Sequence, residues 1–165
     1  MNQPLNAANM RCYCIEESAS DAEKSQAFED YSFAVVDQLF TEYGGKLEAM
    51  PENLQEVVLI WRMEADMYNG GFLQFFCNWG YDNYVATINL LTRIKAVNVL
   101  AILQECEAMI SVMRDDLRLE NYHDIYRYLD EYLSESQLER LEVLDALYWE
   151  DPDQMQRKGY QEYLA

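Results

Sequence analysis

From Ser20 onward the apolar residues recur at steps of three and four, a rhythm that admits helices and little else. Phe28, Tyr31, Val35 and Leu39 form the first such stripe. Ser20-Asp21-Ala22-Glu23 ahead of it reads as a capping box, the serine serving one free amide and the glutamate reaching back to another. Gly44-Gly45 closes this helix. "MPENLQEVVLIWRMEADMY" places Pro51 in a first turn and runs to about Tyr68. Asn69-Gly70-Gly71 breaks it, "GFLQFF" predicts a short helix, and Gly80 stops that one. "DNYVATINLLTRIK" predicts a helix capped by Asp82 or Asn83. "VNVLAILQECEAMISVM" reads as a central apolar helix, although the β-branched run in "AVNVL" also suits a strand. "NYHDIYRYLDEYL" carries Tyr122, Ile125, Tyr126, Leu129 and Leu133 on one stripe. Ser134-Glu135-Ser136-Gln137 looks like a second capping box, opening a helix through Leu147 or Tyr148. "DPDQMQRKGYQEYL" gives a short terminal helix after Pro152. There is no useful alternating strand and no internal repeat. The expected fold is all-α: a single compact multi-helix domain over residues 1–165, with little or no sheet and an irregular stretch over 1–18.

The charge limits the partners such a fold can have. Thirty Asp plus Glu face twelve Lys plus Arg, a formal net of −18, where a soluble small domain needs a magnitude of only about 2–8. Half of the chain is hydrophobic, so it does not belong to the disordered acidic class. Such a field repels nucleic acid and anionic membrane and attracts basic proteins and cations. The N-terminus "MNQPLNAANM" lacks a basic n-region and an apolar h-region, and no run approaches the ~20 apolar residues of a membrane span. The expected location is the cytoplasm, with free thiols. Cys12, Cys14, Cys77, Cys106 and the single His123 do not have zinc spacing, and the cysteines read as buried apolar filler. No D-x-[DN]-x-[DN]-G loop is present for calcium. No metal and no cofactor are expected.

One stretch stands apart. "NGGFLQFFCNWG" runs from Asn69 to Gly80 with Phe72, Phe75, Phe76 and Trp79 between its glycines. Aromatics packed this closely on a short helix read as core, with the double glycine allowing a sharp turn and a close backbone approach. Asn69, Gln74 and Asn78 are expected to bond the amides and carbonyls freed at the two helix ends. A nucleophilic role for Cys77 would need a base, and the only histidine is distant in sequence.

Asn69, Gly70, Gly71, Phe72, Gln74, Phe75, Phe76 and Asn78 together resemble the signature N-G-G-F-x-Q-F-F-x-N of an all-helical bacterial family of unknown-function domains. The similarity extends from about Glu64 to Met109. Trp79 departs from the family pattern, where a small polar residue is expected, and so does Lys95, where a glycine is expected. Within the family, this length and acidity resemble those of members that imitate DNA to occupy a transcription factor. The resemblance implies a structural role for the motif and a helix-turn-helix regulator as partner.

The acid is concentrated at the two ends of the chain: eight acids against two bases up to Gly44, and eleven against four from Asn121 onward. On the first helix Glu23, Asp30 and Asp37 are seven apart, on the side opposite the apolar stripe, and Glu16 continues the spacing if an extension reaches it. Glu135, Glu139 and Glu142 share one face near the C-terminus, with Asp124 and Glu131 expected to face outward just before them. Glu150, Asp151 and Asp153 follow at a turn. These twelve carboxylates are the candidate partner-binding, phosphate-mimicking residues. Solvated helix faces usually mix signs, and these do not.

Duplex DNA carries a charge per about 1.7 Å of axis. A carboxylate row at i,i+4 repeats at about 6 Å, so two or three rows side by side reach the same order of density. Carboxylates also accept the Arg and Lys donors that phosphates accept. The competing reading is a generic acidic interaction protein or inhibitor of a basic partner, without DNA-like geometry. Catalysis has no support, for want of a phosphate loop, a Gly-x-Ser-x-Gly or a paired His and carboxylate. A homodimer suits the aromatic and methionine excess.

Overall fold

A computed structural model describes residues 10–165, so part of the stretch expected to be irregular, 1–9, lies outside the described residues. From Arg11 to Ser20 the chain is turns and irregular backbone. The helices follow in order: α1 Asp21–Thr41, α2 Glu52–Arg93, α3 Val97–Ile110, α4 Ile125–Tyr132, α5 Glu135–Trp149 and α6 Met155–Tyr163, with short 3₁₀ turns between. There is no strand among the described residues, so the all-α expectation holds. "AVNVL" joins helix α3 because Val99, Ile102, Leu103 and Cys106 fall on one buried side at helical spacing.

Both predicted capping boxes form, Ser20 with Glu23 and Ser134 with Gln137. The predicted breaks inside α2 are kinks instead. Gly71 (φ 74) and Gly80 (φ 76) step out of helical geometry and the helix resumes after each, so neither Asp82 nor Asn83 serves as a cap. α2 is closed just past its end by Lys95, which takes the left-handed conformation (φ 57) that favours glycine. The Ala96 amide bonds the Leu91 carbonyl and the Lys95 amide the Thr92 carbonyl, which is the Schellman arrangement. The departure from glycine at this position is therefore absorbed as local backbone strain, not as a different turn.

The chain gathers into two compact units. One consists of the described chain up to Arg62 together with Gln154–Ala165; the other is Met63–Asp153. In the first, α1 turns Phe28, Tyr31, Val35 and Leu39 inward, each at most 1% exposed. α6 covers part of this stripe. Phe28 stacks on Tyr163 at 6.0 Å, and Gly159 sits so close that a Cβ there would lie 2.3 Å from the Phe28 ring. In the second unit the core is built from Met67, Phe72, Phe75, Leu91, Leu103 and Met113, all at most 1% exposed.

Candidate functional site

The phenylalanines of the aromatic motif are buried, and its polar residues act differently from the expectation. Phe72, Phe75, Phe76 and Tyr84 form one ring cluster, with centroids 5.8–6.4 Å apart from Phe72 to its neighbours. Gln74 and Asn78 do not bond helix ends. Both donate to Oδ1 of Asp66, at 2.7 and 2.9 Å, and the Trp79 indole N–H donates to Oδ2 of the same carboxylate at 2.6 Å. Asp66 is 7% exposed, and three neutral donors replace the water it has lost. Trp79, the departure from the family pattern, supplies one of those donors. Asn69 is exposed, with no side-chain hydrogen bond among the described residues. The amide freed at the Gly71 kink, that of Phe72, is bonded by Asp145 of α5 at 2.9 Å. Gly71 needs to be glycine twice over: its φ is 74°, and a Cβ would lie 2.0 Å from Asp145 Oδ2. At Gly80 a Cβ would lie 2.4 Å from the Tyr122 ring.

The cysteines divide. Cys77 and Cys106 are buried as filler, and burial pushes the Cys77 thiol up to about 12 and the Cys106 thiol higher still. Cys12 and Cys14 are exposed, contrary to expectation. The segment that bears them precedes the first helix and turns Tyr13, not the cysteines, against Tyr31, while Cys14 Sγ donates to the Leu164 carbonyl at 3.1 Å. Among the described residues no three His, Cys, Asp or Glu side chains gather to hold a metal ion. A cleft of about 460 Å³ in the second unit is lined mainly by Phe76, Tyr81, Ile110, Met113 and Tyr122. Its cation, Arg114, is paired with Glu107 and lies 4.3 Å over the Tyr81 ring.

The carboxylates separate into exposed rows and structural groups. Glu23, Asp30 and Asp37 are exposed on α1. Hydrogen bonds from Ser20 hold the Glu23 carboxyl below its ordinary range, and Asp30 accepts from Gln26. None of the three has a basic partner among the described residues. Glu16 is exposed but precedes the helix, so the spacing of seven does not place it on that face. Glu135, Glu139 and Glu142 are exposed on α5, again with no basic partner among the described residues. Arg140, the one base of α5, is engaged by Glu105 at 2.6 and 2.9 Å. Glu150 is exposed at the end of α5, while Asp151 is half-buried with a left-handed backbone (φ 48).

Three carboxylates read from the sequence as outward or available are engaged elsewhere. Asp124 is 7% exposed, not outward. It closes a capping box with Asn121 and accepts from the Glu120 and Asn121 amides, because the chain there is a 3₁₀ turn and α4 begins only at Ile125. Asp153 accepts the Asn98 and Val99 amides at 2.8 Å each, at the start of α3. Glu131 is exposed but paired with Arg118 at 2.9 Å. Sequence reasoning missed Asp66 and Asp145, the two carboxylates that hold the motif.

The described residues make an all-helical protein in which a kinked long helix is held by the carboxylates of Asp66 and Asp145, and exposed helix faces carry acid without a basic partner among the described residues. The family model described as DMP19-like protein matches residues 48–165, and the chain belongs to that family, the family of DNA mimic protein 19. The match is wider than the resemblance read from the motif, and it begins after α1. No curated protein matches the chain, and no solved structure matches it. Among the described residues no helix is long and apolar enough to cross a membrane.

Proposed function

We propose that this protein is a DNA mimic: its surface carboxylates stand in for phosphates, occupy the DNA-binding surface of a transcription factor and block operator binding. The carrying observation is the two rows Glu23/Asp30/Asp37 and Glu135/Glu139/Glu142, exposed and without basic partners among the described residues. Glu16 and Glu150 add exposed charge near them in sequence. Membership of the DMP19-like family supports the reading. The partner is a helix-turn-helix regulator, whose basic groups would bind carboxylates in place of phosphates. The protein works in the cytoplasm without a cofactor or catalysis, and its own field keeps it off nucleic acid. A homodimer is the assembly in this reading, checked by sedimentation.

The test is a pull-down from cytoplasm, then a competition titration of the recovered DNA-binding protein with labelled operator. Mutual exclusion is expected. Replacing the three carboxylates of either row by amides should slow association and leave the fold intact, since exposed changes cost less than about 0.5 kcal/mol each. Salt should weaken the complex with a smaller slope than for DNA, because no condensed counterion layer is released. A ternary complex of regulator, operator and this protein would refute mimicry.

A further inference from the structure

Six exposed residues run along one side of α1 at alternating steps of three and four: Glu23, Gln26, Asp30, Phe33, Asp37 and Phe40. At about 100° per residue they span roughly 100° of arc, a single ridge. Phe33 is 55% exposed and Phe40 63% exposed, large apolar side chains alternating with aspartates. Both rings have a neighbour within their own compact unit. Phe33 sits edge-on to Trp61 at 6.5 Å, and a Cβ at Gly45 would lie 3.7 Å from the Phe40 ring. The one base of α1, Lys24, lies off this ridge and donates to the Glu17 carbonyl. The ridge also precedes residue 48, where the family match begins.

We infer that this ridge is a docking surface for a basic protein with an apolar groove: Phe33 and Phe40 enter the groove while Glu23, Asp30 and Asp37 meet the Lys or Arg side chains along its rim. The inference rests on the DNA-mimic reading for the class of partner and adds to it two aromatic anchors, which a phosphate backbone lacks. Charge complementarity selects the occupant. A second copy would bring the same carboxylates and a further net charge of −18 to the seam, and an anionic membrane is repelled for the same reason. Buried aromatic anchors ringed by polar contacts are the usual centres of binding energy. The two residue types then divide the work: carboxylates govern association and salt dependence, while the rings govern dissociation.

The probes are two fluorescein-labelled helical peptides of equal positive charge, one with a leucine stripe flanked by lysine and arginine, the other with serines replacing the leucines. Each is titrated with the full chain. The leucine peptide is expected to bind more tightly. Phe33→Ser with Phe40→Ser should abolish that preference, with at least a ten-fold loss of affinity, an unchanged salt slope and an unchanged Tm. Asp30→Asn with Asp37→Asn should weaken both peptides and flatten the salt slope. The inference is overturned if the serine variant keeps the preference, or if sedimentation shows a parent dimer that the serine variant dissociates, which would make a second copy the occupant. A parent chain that binds both peptides equally yet competes with operator would sink the ridge and spare the mimic reading. A ternary complex with operator alongside an intact peptide preference would do the reverse.

Discussion

Asp145 Oδ1 accepts the Phe72 amide at 2.9 Å, across a glycine whose missing Cβ leaves room for the carboxylate. One side chain of α5 thus satisfies the amide that the kink in α2 releases. Burial raises the Asp145 carboxyl above the ordinary aspartate range; the Phe72 bond opposes the shift and nearby Glu142 adds to it.

The sign of the pH effect follows from that shift. Between the unfolded value, about 3.9, and the raised folded one, the folded chain holds a proton that the unfolded chain has released, so this group's contribution to stability falls as pH rises. Asp145→Asn keeps the acceptor oxygen and removes the titration. Melting curves of parent and variant, compared from about pH 3 to pH 7, should show the difference moving in the variant's favour as pH rises. A difference independent of pH would show that Asp145 does not titrate abnormally.

Asp66 is the acceptor for Gln74, Asn78 and Trp79. Asp66→Ala leaves three donors without it and should cost about 3 kcal/mol or more, since each stranded buried group costs about 1–3 kcal/mol. Denaturant unfolding measures the loss, and a shift in tryptophan emission should accompany it. A loss below about 1 kcal/mol would mean that water serves those donors equally well.

Phe75 is fully buried and Phe76 is 6% exposed. Phe75→Ala and Phe76→Ala should each destabilise the fold by roughly 3–5 kcal/mol. The fraction that stays folded should bind its partner as the parent does. A variant that keeps its Tm yet loses binding would turn the motif into a binding site.

The thiols give a fourth check. Cys12 and Cys14 are exposed, whereas Cys77 and Cys106 are buried with their ionisation suppressed. A thiol reagent at neutral pH should label two cysteines rapidly, and the other two only once the protein unfolds. Four fast thiols would mean that the second unit opens readily.

What could be read beforehand was local. Ser20 with Glu23 and Ser134 with Gln137 are three residues apart, so their boxes are complete within the sequence itself. The α1 stripe likewise needs only the helical period. Long-range partners were invisible: Asp145 lies 73 residues from Phe72, and Asp153 lies 55 from Asn98. Gln74 and Asn78 carry the right donors for helix ends, and nothing in their spacing points instead to Asp66, 8 and 12 residues back across a kink. Asp124 would face outward on a helix that began at Tyr122, but the α-helix begins only at Ile125. Lys95 shows the converse, a residue of the wrong type holding the turn that glycine would have held.

The closure of α1 by the last helix bears on how the chain is made. Phe28 rests against Gly159 and Tyr163, and Arg157 pairs with Asp21 at 3.0 Å. During synthesis, α1 emerges well before α6, at about 5–20 residues per second. For the several seconds in between, the nascent stripe around Phe28 lacks the cover that α6 supplies. A ribosome stalled before Gln154 should therefore display an adhesive first helix, a natural substrate for a chaperone that holds apolar segments until α6 has emerged.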